Sequence, residues 1–87
     1  MSVYVDKAKN QYRGMLMCHM LADTPEELHA MADRIGIQQR WFQNHKTPHY
    51  DICQSKRRLA LLAGAIEIDR RQTVEIMKKL RNQDNWK

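Results

Sequence analysis

The chain has 87 residues, of which 43% are hydrophobic and 29% charged, with 15 Lys and Arg against 10 Asp and Glu and a formal charge of +5. This is the composition of one small basic globular domain, and it excludes a disordered chain, a collagen or coiled-coil fibre and a multi-domain enzyme. No apolar run approaches the roughly 18–20 residues a membrane span needs, and two cysteines make neither a disulfide framework nor a four-thiolate zinc site.

In chain order, Val3-Tyr4-Val5 is a short β-type run that ends at Asp6. Residues 6–14 are polar and contain Gly14, so they read as a turn or loop. Met15 to Ala22 is apolar on both parities, as a central strand buried on both faces is. A helix competes for this run, because Met and Leu favour helices; the strand is preferred because Asp23-Thr24-Pro25 starts a helix at once. Thr24 is a good N-cap, Pro25 suits the first helical position, and Glu27 stands where a capping box needs it. Leu28, Met31, Ala32 and Ile35 form one apolar stripe, and Gly36 stops the helix.

Residues 39–43, with Trp41-Phe42, read as a short strand, 44–48 as a loop and 49–53 as another extended segment. Ser55 is the expected cap of a second helix over 56–63, stopped by Gly64. Residues 65–68 read as a strand with Ile66 and Ile68 on one face. Asp69 caps a third helix, with Gln72 in the box position, running to about Arg81. The expected order is β-β-α-β-β-α-β-α. The class is α/β, with α+β as the alternative: a mixed sheet of four or five short strands with three helices. One domain is expected over 1–81, followed by a polar tail over 82–87.

Three polar groupings offer chemistry. In His49-Tyr50-Asp51, residues two apart on an extended chain share a face, so the imidazole and carboxylate project together. His19 is the strongly polar residue of an apolar run, either a satisfied core histidine or a site residue, and it shares a strand face with Asp23. Asp6 ends the first strand and joins them if the first two strands are neighbours. A divalent metal is the cofactor this set suggests, held by Asp6, Asp23 and His19. If the protein is an enzyme, His49 is the base, Asp51 its orienter, and His19 a further catalytic candidate. Separately, Lys56, Arg57, Arg58, Lys78, Lys79 and Arg81 form a basic set that suits phosphate backbones, although such sets are usually solvated faces. Trp41 and Phe42 suit base stacking, with one of the two expected in the core. Met15, Met17, Met20, Met31 and Met77 are spaced as core residues, Cys18 reads as a buried small hydrophobe and Cys53 as a free thiol.

The combination Val3-Tyr4-Val5-Asp6, Met17-Cys18-His19-Met20-Leu21-Ala22-Asp23-Thr24, Glu27-Leu28-His29-Ala30-Met31-Ala32, Gly36, Trp41-Phe42-Gln43, His49-Tyr50-Asp51-Ile52 and Ala63-Gly64-Ala65 resembles one small phage and bacterial family. It is the domain of unknown function numbered four-zero-three-one, and the resemblance covers about residues 2–72. It implies a single small domain, frequent carriage on phage genomes and no assigned activity. The polar positions of its pattern map to Asp6, His19, Asp23, His29, His49, Asp51 and Arg71. Arg13-Gly14 departs from it, standing in the reverse of the expected order.

The first functional expectation is a binding module whose pocket, formed by Asp6, His19, Asp23, His49, Asp51 and Arg71, takes a small anionic or nucleotide-like ligand or a host defence protein. A metal-assisted phosphodiester or nucleotide hydrolase is the second, and a nucleic-acid binder the third. The start of the chain lacks the basic-then-apolar order of a signal peptide, so the expected place is the cytoplasm of a bacterial host. Tyr12, Trp86 and the third helix are candidates for a homo-oligomer contact.

Overall fold

A computed structural model describes residues 2–44 and 47–82. The elements are β1 (Val3–Val5), β2 (Asn10–Tyr12), β3 (Met15–Ala22), α1 (Pro25–Arg34), a 3-10 turn (Gln39–Trp41), β4 (Tyr50–Cys53), α2 (Gln54–Leu62), β5 (Ile66–Glu67) and α3 (Arg70–Arg81). The five strands form one mixed sheet, and the fold is of the α/β class. β3 is its hub. β4 and β1 both pair with Met20, and β4 and β2 both pair with Met17, so β1 and β2 share one edge of β3 and β4 takes the other. β5 runs parallel to β1, and hence parallel to β4 as well, so α2 is a crossover connection.

The register sorts the side chains. Val3, Val5, Cys18, Met20, Ala22, Tyr50 and Ile52 are all buried on one face, where α1 contributes Leu28, Met31 and Ala32 to the core. The opposite face carries Tyr4, Met17, His19, Asp51 and Cys53, all half-buried, together with the fully buried Leu21. The polar pair His19 and Asp51 therefore stands on the face turned away from α1.

Local chemistry explains the helix ends. The Thr24 hydroxyl accepts the Glu27 N–H at 3.3 Å and donates to the Glu27 carboxylate at 2.9 Å. Asp69 and Gln72 complete a reciprocal capping box. α1 and α2 both close in Schellman motifs: Ile37 N–H reaches Ala32 O and Ala65 N–H reaches Ala60 O, with Gly36 and Gly64 at φ 84° and 107°.

Five expectations change. A strand, β2, lies inside the segment read as a loop; it is fully exposed, so it has no hydrophobic signature. It is specified by the two-residue turn Arg13-Gly14, whose φ values of 50° and 79° are the left-handed pair of a type I′ hairpin turn. β3 is two-sided only in its C-terminal half. Met15 and Leu16 are exposed because the hairpin runs past the core. Residues 39–43 form a 3-10 turn and a single bridge, Gln43 to His49, rather than a strand, since Phe42 is used to pack on His29 and Tyr50. α2 starts at Gln54 with Cys53 as its N-cap; Ser55 lies inside the first turn, its hydroxyl 3.2 Å from the Cys53 sulfur. Ile66 and Ile68 do not share a buried face: β5 ends at Glu67, Ile68 is buried, and Ile66 is 46% exposed. Of the proposed tail, residues 83–87 with Trp86 lie outside the described residues, while Asn82 is the C-cap of α3.

Candidate metal centre

The site begins with an irregularity in the sheet. Between the pairs Val5–Met20 and Asn10–Met17, four residues, 6–9, stand opposite only Cys18 and His19. Such a bulge draws the main chain away from its partner. The Asp6 side chain fills the gap: its Oδ1 accepts the His19 main-chain N–H at 2.9 Å and the Ala8 N–H at 3.2 Å. Its Oδ2 stands 2.6 Å from His19 Nδ1. Asp6 is itself anchored. Arg57 of α2 donates Nε–H to the Asp6 carbonyl at 2.9 Å and a second N–H to Glu67 at 2.6 Å.

Across the β3–β4 ladder, His19 is directly opposite Asp51. His19 Nε2 lies 4.0 Å from Asp51 Oδ1, and His49 Nε2 lies 3.4 Å from the same oxygen. The two imidazoles meet edge to face, with centroids 5.4 Å apart. His49 donates from Nδ1 to the Thr47 carbonyl at 2.7 Å, and Gln43 donates to the other Asp51 oxygen at 2.7 Å. Both rings are thus held at Nδ1, with Nε2 turned towards Asp51. One ligand atom from each of His19, His49 and Asp51 falls within 4.8 Å of the others, and all three residues are half-buried.

The electrostatics follow from these contacts. Burial pushes the Asp6 carboxyl up, but hydrogen bonds from the His19 ring, the His19 main chain and the Ala8 main chain together outweigh it and hold it below the ordinary carboxyl value. The same Asp6 contact raises His19 above the ordinary imidazole value against the opposing effect of burial. Asp51 is held low by the His49 hydrogen bond, against burial, with help from Gln43. Cys18, by contrast, has its thiol pushed up to about 12 by burial and is inert core.

The Asp6–His19 pair makes metal-free stability depend on pH. A raised imidazole pKa stabilises the fold below 6.5, and that contribution is lost as pH rises through the folded value. A lowered carboxyl pKa stabilises it above 3.8, and that contribution is lost on acidification. In EDTA, urea unfolding is therefore expected to show a plateau between these values with a decline on both sides. The basic-side decline comes from losing the attraction between the imidazolium and the Asp6 carboxylate, since the neutral ring keeps its Nδ1–H bond to Asp6. Asp6→Asn should flatten that basic-side decline; an unaltered profile in the variant would remove this account.

The structure assembles Asp6, His19, His49 and Asp51 and places the other candidates elsewhere. Asp23 does not join the metal set proposed with Asp6 and His19. It shares the face of His19, but its carboxylate accepts the Ser2 N–H at 2.9 Å and the Tyr4 hydroxyl at 3.0 Å, pinning the start of β1. Arg71 does not line the cluster: its side chain is 89% exposed and pairs with Glu75 on its own helix at 3.6 Å. His29 lies on the opposite face, sharing a 2.8 Å hydrogen bond with the Tyr50 hydroxyl. Of the basic set, Lys56 donates to the Ile35 carbonyl at 2.9 Å and Arg57 braces Asp6, so both serve the fold; Arg58, Lys78, Lys79 and Arg81 are exposed. Trp41 is exposed beneath the Arg40 guanidinium, and Phe42 is the core member of that pair. Sequence reasoning missed Gln43, the Thr47 carbonyl and Arg57 as supports. Their roles depend on a bridge, a turn and the placement of α2 against the end of β1, which are set by contacts between distant parts of the chain.

The arrangement is that of a small α/β domain with a two-histidine, one-carboxylate cluster on the sheet face turned away from α1. The chain belongs to the DUF4031 family, described as proteins of unknown function, whose model matches residues 3–80. Neither the curated proteins nor the solved structures contain a match. Among the described residues, no helix is long and apolar enough to cross a membrane.

Proposed function

We propose that this protein is a small binding module that holds a divalent transition-metal ion at His19, His49 and Asp51, and through that ion a small anionic, phosphate-bearing ligand. The observation that carries the reading is the convergence of both Nε2 atoms on Asp51, with each Nδ1 tied behind its ring. Histidines that ligate metals usually donate their other ring N–H to a carboxylate or a carbonyl, and Asp6 and Thr47 supply those two acceptors. Two imidazole nitrogens and one carboxylate oxygen suit zinc and its first-row neighbours, whereas magnesium and calcium prefer all-oxygen sites.

Charge favours the same order of binding. Asp6 and Asp51 are both held in the ionised form, and Arg71 is elsewhere. A bare anion finds little attraction there, while a cation finds much. The ion then supplies the positive charge that the expected His, Asp and Arg pocket lacks.

A hydrolase is the second reading. An ion held by His19, His49 and Asp51 would keep coordination positions open, and would supply there the lowering of a water's pKa that metal-assisted hydrolysis uses. In that case His49 is a ligand and not the general base that the sequence suggested, because its Nε2 is committed to the ion.

Cobalt(II) titration into EDTA-treated, dialysed protein tests the proposal. Visible absorption bands should appear and saturate at one ion per chain, be displaced by zinc and be absent in His49→Ala. Phosphate or a nucleoside monophosphate should then shift the bands. Featureless spectra, with no zinc binding by calorimetry, would remove the metal and everything built on it. Turnover of a phosphodiester that stops in EDTA would select the hydrolase.

A further inference from the structure

We propose that Asp6 is a positioning residue that fixes the tautomer of His19, placing the proton on Nδ1 and the lone pair of Nε2 towards His49 and Asp51. The functional meaning of this assignment rests on the metal reading above; the tautomer itself does not.

The geometry leaves Asp6 little freedom. Its Oδ1 is committed to two main-chain donors, the N–H groups of His19 and Ala8, both created by the bulge. Its Oδ2 is left for the ring at 2.6 Å. A carboxylate only accepts, so a neutral His19 must carry its proton on Nδ1. The Arg57 hydrogen bond to the Asp6 carbonyl, braced in turn by Glu67, keeps the bulge in place from α2 and β5. One side chain thus sets the main chain, the ring orientation and the protonated nitrogen of a residue on the neighbouring strand.

Asp6→Asn separates these roles. The two main-chain N–H groups require the amide oxygen on their side, so the amide NH2 faces the ring. It donates to Nδ1, which must then accept, and the His19 proton moves to Nε2. The fold is kept and the lone pair is turned away from the site. Asp6→Ala behaves differently. It strips both N–H groups of their acceptor and costs more stability, yet it leaves the ring free to present either nitrogen.

The test uses long-range proton–nitrogen NMR on the metal-free protein in alkaline buffer, with cobalt affinity and thermal stability measured for all three proteins. His19 should be Nδ1-protonated in the wild type and Nε2-protonated in Asp6→Asn. Affinity should fall about 10–100-fold in Asp6→Asn, the usual effect of losing an outer partner of a ligating histidine. It should fall less in Asp6→Ala, although that variant is the less stable of the two. An affinity order that simply follows stability would mean that Asp6 is structural only. An Nε2-protonated His19 in the wild type, which requires no variant to fold, would overturn the proposal outright. If the wild type binds no metal, the metal reading fails while the NMR comparison still decides the tautomer.

Discussion

Replacing Tyr50 by alanine is expected to lower the unfolding free energy by about 3–5 kcal/mol, the range for removing a large buried aromatic side chain. Small domains have only about 5–15 kcal/mol in total, so the variant should sit near the edge of folding. The expectation rests on where the side chain lies. Tyr50 is fully buried opposite Met20, its ring packs against Phe42 at 5.5 Å and His29 at 5.9 Å, and its hydroxyl bonds to His29 Nδ1. Through these contacts Tyr50 joins the strand that carries Asp51 to α1 and to Phe42, the residue that ends the 3-10 turn. Tyr50→Phe keeps the ring and loses only the hydrogen bond, at a cost of about 1 kcal/mol. Urea unfolding of the two variants separates packing from hydrogen bonding. If Tyr50→Ala is no worse than Tyr50→Phe, β4 does not depend on this contact. Because Tyr50 stands between His49 and Asp51 but points to the other face, Tyr50→Phe should leave cobalt affinity unchanged.

Zinc should raise the melting temperature by roughly 10–20 °C when its free concentration is about a hundred times the dissociation constant. Binding to the folded state alone adds about 2.7 kcal/mol under that condition, and a domain of 60–100 residues gains about 4–8 °C per kcal/mol. The ion would join three points of one ladder: His19 on β3, Asp51 opposite it on β4, and His49 at the bridge to Gln43. All three must come together for binding, so the unfolded chain cannot compete well. Magnesium should produce no comparable shift, and His49→Ala should abolish the zinc response. An equal zinc response in His49→Ala would place the ion elsewhere and sink the assignment.

Much of the fold is legible in the sequence because its signals are local. Thr24-Pro25, Gly36, Gly64 and the Asp69–Gln72 box mark helix ends through bonds that span three to five residues, and the structure places each of these ends within a residue of the expectation. The run 15–22 is a strand with the expected limits. β2 was hidden because Asn10-Gln11-Tyr12 buries nothing; a turn conformation fixes it, not a pattern of hydrophobicity. The site is legible in part for the same reason. His49 and Asp51 share a face by strand geometry alone, and that holds. Joining them to His19 requires the register that sets Met20 against Tyr50, which is a long-range fact. Asp23 misleads because strand parity gives the correct face but not the neighbour: it lies four residues along from His19, where Ser2 and Tyr4 claim its carboxylate.

The lengths of the outer strands carry a last consequence. Among the described residues, β4, β2 and β5 each pair with one neighbouring strand, and they contain four, three and two residues. A foreign chain seeking to add itself to a sheet needs a long, straight row of unsatisfied main-chain groups. Here each such row is interrupted after a few residues by a turn, a bulge or the start of a helix. A small basic chain with several exposed apolar side chains thus offers a foreign strand only short rows to pair with, and two of them carry a carboxylate, Asp51 in β4 and Glu67 in β5.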